Sequence, residues 1–172
     1  MTTQRDGVRV AAGAAALLAT GVWLGGIVVL GAIVAPTVFR EVPMPASADA
    51  MTIVFVTFDK IAISCAAIVA VCEVIRSRAE RAVEAGDAPS RIDLARLAIT
   101  AVAGALAIVQ GVWLSPAIVA LHREGAIRGL GPSGLRLETF HAWSERCGKT
   151  ESLLLVALVV LLARALVRSP RA

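Results

Sequence analysis

Residues 10–39 read VAAGAAALLATGVWLGGIVVLGAIVAPTVF, 30 positions without a charge. A helix needs about 20 mostly apolar residues to cross the hydrocarbon core of a bilayer, so this stretch spans with turns to spare. Further along, residues 97–121 form a second neutral run of 25. Two shorter neutral runs, of 12 residues each, lie between Lys60 and Glu73 and between Glu151 and Arg164. Four apolar segments separated by polar turns predict an all-α fold, an integral membrane four-helix bundle that occupies residues 1–172 as one membrane domain. The expected helices cover about 8–34, 51–75, 92–121 and 135–167. Pro36 is expected to end the first. Gly86, Asp87 and Pro89 mark the turn after the second, and four glycines with Pro132 mark a loop over residues 125–134.

Composition agrees. Hydrophobic residues make up 58% of the chain and the mean hydropathy is +0.79. Charged residues make up 17%, against about 25% in soluble domains. The net charge of +4 does not point to nucleic acid, because no basic stripe is interleaved with aromatics and the arginines collect at helix ends. With four spans, the termini and the 76–96 segment share one side and carry 10 Lys and Arg, against 7 on the other. The positive-inside rule then places both termini in the cytoplasm. Arg far exceeds Lys, and Tyr is absent. This bias is expected of a bacterial chain, hence of a plasma (inner) membrane location. The first neutral run far exceeds the roughly 7–15 residues of a cleaved signal and reads as a permanent helix.

The short neutral runs of helices 2 and 4 locate the candidate site. Twelve residues rise only about 18 Å, so these helices take charged groups towards the membrane interior or shield them against neighbours. Lys, Arg and Glu can snorkel to the surface, but Asp59 is too short to do so easily. The outer half collects Asp59, Lys60, Gln110, His122, Glu138, His141, Ser144 and Glu145, a candidate ligand or ion pocket. Glu138, His141, Ser144 and Glu145 share one helical face, and Glu138, His141 or Glu145 is expected to come near Lys60 or Arg123. His141 changes charge near neutral pH, which suits proton coupling or ligand contact. The plainer reading is a solvated helix end with pairs such as Glu145–Lys149.

Packing signals are also present. Gly21 and Gly25 form a GxxxG, and Ala103, Ala107 and Gly111 repeat small residues every four, a pattern that lets helices approach within the bundle or between two copies. Trp23 lies at the middle of its helix and needs an acceptor for its N–H; Gln110 is one candidate. Pro116 leaves the carbonyl of Val112 without its usual partner. Gly21-Val22-Trp23-Leu24 recurs as Gly111-Val112-Trp113-Leu114, which raises two parallel helical-hairpin repeats as an expectation.

His122, His141 and Cys147 have ligand chemistry, yet no HxxxH or CxxC spacing occurs. Cys65 and Cys72 stand about 10.5 Å apart along one helix, too far for a disulfide. No P-loop, nucleophile elbow or dinucleotide fingerprint is present. No metal or cofactor is expected, and a non-enzymatic role is favoured over catalysis.

Three motifs carry a resemblance. Gly21-Val22-Trp23-Leu24-Gly25 with Pro36, Phe39 and Pro43 is one, and Trp113-Leu114-Ser115-Pro116 with Glu124 is the second. The third is Phe140-His141-Ala142-Trp143-Ser144-Glu145-Arg146-Cys147. In order and register they resemble the signatures of the transmembrane protein 205-like family, also called domain of unknown function 4149. Gly148 stands where that family often has Asn. The resemblance implies a four-helix membrane protein and no defined activity. The leading expectation is a membrane protein that binds or passes a small solute or ion at its outer polar pocket. The alternatives are an accessory or structural subunit of a larger membrane complex, or a homodimer, and a membrane redox protein using haem or metal.

Overall fold

A computed structural model describes residues 2–83 and 90–167. The turn expected around Gly86–Pro89 lies outside them. The described chain forms four long helices. Helix α1 runs Thr2–Val29 and continues through a π-helical turn, Leu30–Val34, into Ala35–Glu41. Helix α2 is Ala46–Val83. Helix α3 runs Arg91–Ile108, passes through a second π-helical turn, Val109–Leu114, and ends as Ser115–Arg123. Helix α4 is Gly131–Val167. All four are long and apolar enough to cross a membrane, and the protein is a multi-pass membrane protein.

Each helix is longer than its neutral run foretells, because polar residues extend the ends. Ser90 caps α3 by accepting a hydrogen bond from the Asp93 backbone N–H, while its own hydroxyl donates to the Asp93 carboxylate. Pro36 does not end α1. The preceding π turn shifts the bonding pattern, and Ala35 N–H donates to the Leu30 carbonyl. The same device precedes Pro116, where Ser115 N–H donates to the Gln110 carbonyl. Both prolines are therefore carried inside continuous helices. Positive φ angles at Gly125, Gly129 and Gly131 turn the α3–α4 connection.

The helices form a ring in which α1 packs on α2 and α4, and α3 packs on α2 and α4. The core joins Ala12, Ala16, Ala19 and Trp23 of α1 to Ala62, Cys65, Ala66 and Val69 of α2. Ala103 and Ala107 of α3 and Leu155, Leu158 and Leu162 of α4 complete it. Small residues on three helices let the backbones approach, and the leucines of α4 fill the centre. A second apolar cluster, Ile118, Leu121 and Leu137, ties α3 to α4 near their connection. The end that holds the start of α1 and the end of α4 is the terminal end of the bundle, and the opposite one is its loop end.

Three packing expectations need correction. Gly21 and Gly25 face away from the bundle, and a Cβ added at either meets nothing within 4 Å. The close glycine contacts are Gly26 against the Phe58 ring and Gly111 against Asp59 and Ile63. Trp113 is 60% exposed and touches the edge of Phe140, and Pro116 is exposed too. Trp23 is fully buried, so the repeated tetrapeptide gives its two tryptophans opposite environments.

Candidate functional site

Two buried polar centres interrupt the apolar core. The one nearer the terminal end is a charge clamp. Glu73 of α2 accepts from Arg76 Nη1 at 3.3 Å and from Arg96 Nε of α3 at 3.0 Å. Arg96 Nη2 also lies 2.7 Å from Asp93. Glu73, Arg76 and Arg96 are all buried. Acid and base are matched here, and the clamp locks α2 to α3.

The second centre lies about 21 Å further along α2, the rise of the 14 residues from Glu73 back to Asp59. It is built differently. Asp59 faces α3 because Gly111 leaves room for it. Ser115 Oγ donates to Asp59 Oδ2 at 2.5 Å. Gln110 Nε2 donates to Ser144 Oγ of α4 at 2.7 Å and lies 3.4 Å from Ser115 Oγ. Two turns along α4 from Ser144, on the same face, Glu151 accepts from Trp23 Nε1 at 2.6 Å. Asp59 and Glu151 are both buried, and the Ser115–Gln110–Ser144 chain links Asp59 to the face of α4 that carries Glu151. A donor from α3 thus reaches Asp59 and one from α1 reaches Glu151, and both donors are neutral. Among the described residues neither carboxylate has an ion pair.

The pocket expected from sequence divides. Asp59, Gln110 and Ser144 come together in this centre. His122 and His141 form a separate pair nearer the loop end, rings edge to face with centroids 5.9 Å apart. Lys60, Glu138 and Glu145 are exposed. Glu145 pairs with Lys149 on its own helix at 2.6 Å, rather than with Lys60 or Arg123. Arg146 lies over the exposed Trp143 ring at 5.5 Å, an arrangement that suits a membrane interface. Among the described residues no three His, Cys, Asp or Glu side chains group as metal ligands, and all three cysteines are free.

Sequence reasoning missed Ser115, Glu151 and the partner of Trp23. Glu151 was visible as the charge that cuts short the neutral run of α4. Its spacing of seven from Ser144 was the signal that it points inward.

Comparison with known proteins gives one family match. The model for a domain of unknown function, DUF4149, matches residues 18–126, more than half of the chain. The matched region holds Trp23, Asp59, Gln110 and Ser115 and stops before Ser144 and Glu151. No curated protein and no solved structure matches the chain.

Proposed function

The chain belongs to the DUF4149 family, and from that premise we propose that it binds or passes a small solute or ion at the centre formed by Asp59, Gln110, Ser115, Ser144 and Glu151. One observation carries this reading: among the described residues, two buried carboxylates are held only by neutral donors. An ionised side chain at mid-membrane costs about 2.5–3.5 kcal/mol even on the gentlest scale. A chain that needed only rigidity had a cheaper solution, which it uses at Glu73. The uncompensated acids fit a site whose positive partner arrives from outside. The proposed setting is a bacterial inner membrane with both termini cytoplasmic, as the basic asymmetry favours, so that the loop end faces outward.

The test is a thermal-shift panel of small solutes and ions on the purified protein in detergent. A ligand at 100 times its Kd stabilises by about 2.7 kcal/mol. The expected result is stabilisation of the wild type that is lost in Asp59→Asn and Glu151→Gln. A panel with no shift, pH included, contradicts the reading.

A second reading has its own observation. The Gly21–Gly25 face of α1 is open, which favours contact with another helix, in a homodimer or as a subunit of a larger complex. Cysteine cross-linking from Gly21 in native membranes separates lipid exposure from such a contact.

A further inference from the structure

The chain treats its buried acids in two ways. Glu73 is neutralised by two fixed arginines. Asp59 and Glu151 are not. The groups facing them are uncharged: Gly111 and Ser115 of α3 against Asp59, and Trp23 of α1 against Glu151. The neighbouring lysines are turned elsewhere, with Lys149 exposed on Glu145 and Lys60 exposed beside Asp59. Cys147 shares α4 with Glu151 and adds no positive charge.

The hydrogen bonds around Gln110 link Asp59 to α4. The Gln110 amide nitrogen donates to Ser144 and lies within donating distance of Ser115, and the Ser115 hydroxyl donates to Asp59. Gln110 Oε1 is buried and accepts from nothing among the described residues. The Ser144 hydroxyl, which accepts from Gln110, still has its own proton to donate. What the centre lacks among the described residues is positive charge, and a proton on either carboxyl removes one negative charge.

Chemistry selects the cation. Hard divalent ions take six or more oxygen ligands. Here the Ser115 hydroxyl is committed as a donor to Asp59, and the indole N–H, a donor with no acceptor capacity, occupies Glu151 Oε1. A proton needs a single oxygen, and Asp59 Oδ1 and Glu151 Oε2 are unengaged among the described residues. Towards the terminal end the pair is sealed by Ala16, Val69, Leu155, Leu158 and Leu162, each fully buried. Towards the loop end stand the half-buried Gln110 and Ser144.

We propose that Asp59 and Glu151 form a proton-binding pair, loaded from the loop end past Ser144 and Gln110. Each acid holds its proton on the oxygen opposite its neutral donor. This names the ion for the centre described above and rests on that reading.

The experiment is carbodiimide labelling of the full chain in membrane vesicles, with dicyclohexylcarbodiimide as the probe and peptide mass spectrometry as the readout. The reagent adds to a protonated carboxyl in an apolar setting and rearranges to a stable N-acylurea. The expected result is label on Asp59 or Glu151, falling about tenfold per pH unit above a midpoint as a one-proton group must, and unaffected by sodium, potassium or magnesium. Glu73, equally buried but ion-paired to Arg76 and Arg96, is the internal control and stays unlabelled. Protection by one of those cations at fixed pH overturns the proton assignment and leaves an ion site for that cation. Label that ignores pH, or no label on either acid, overturns the pair. In those two cases the thermal-shift panel decides the wider reading, which stands if a solute or ion still stabilises the protein and falls if none does.

Discussion

The Trp23 indole N–H donates to Glu151 Oε1 at 2.6 Å, joining α1 to α4 across 128 residues of sequence. Both side chains are buried, so each depends on the other. Trp23→Phe keeps most of the ring volume and leaves the carboxyl without its donor. Leaving a buried acceptor without its donor costs about 1–3 kcal/mol, so a lower Tm in detergent is expected. The double-mutant cycle with Glu151→Leu, which removes the acceptor, should give a clear coupling energy, whereas additive effects would mean that the bond contributes nothing.

The terminal-end clamp should respond more strongly. Glu73→Ala leaves Arg76 and Arg96 buried without their shared acid, and breaking such a pair costs about 3–5 kcal/mol. Glu145→Ala removes an exposed partner of Lys149 worth about 0–1 kcal/mol. Thermal unfolding in the same detergent should rank Glu73→Ala far below Glu145→Ala. Equal losses would show that the clamp does not hold α2 to α3.

The four spans were legible in the sequence because they rest on run length and hydropathy, which need no partner. The polar centre was half legible. Asp59, Gln110 and Ser144 stood out as polar residues in apolar helices. Lys60, Glu138 and Glu145 stood out equally, yet they lie on outward faces. Which face of a helix turns inward is set by its neighbours: Gly111 opens space for Asp59, and the π turn before Pro116 shifts the register of everything beyond it on α3. The inward face of Glu151 depends on Trp23, a contact between the first and last helices that no local pattern announces. The glycines show the same limit, since Gly21 and Gly25 match the packing motif while Gly26 makes the contact.

That difference is testable by substitution. A side chain at Gly26 collides with the Phe58 ring, and overpacking of this kind costs about 1–3 kcal/mol. Gly26→Val should therefore lower Tm, while Gly21→Val, on the open face, should leave the monomer's Tm unchanged. Loss of an oligomer in Gly21→Val, read by size-exclusion with light scattering, would assign that face to a second copy. A monomer in both proteins would assign it to lipid or another partner.

Orientation follows from the basic asymmetry. A reporter fused within residues 125–134 should read as external and one at Ala172 as cytoplasmic. The reverse pair of signals would turn the polar centre's open end towards the cytoplasm.

The central claim is that the Asp59–Glu151 centre takes up a ligand, and Trp23 is positioned to report it. Trp113 and Trp143 are exposed, so Trp113→Phe with Trp143→Phe leaves one buried tryptophan whose N–H lies on Glu151. The decisive measurement is the emission of this single-tryptophan protein, titrated in turn with protons and with each solute and ion of the panel. The account predicts a saturable spectral shift that disappears in Glu151→Gln and weakens in Asp59→Asn. Emission that stays constant throughout, or a shift that persists unchanged in both variants, would contradict it.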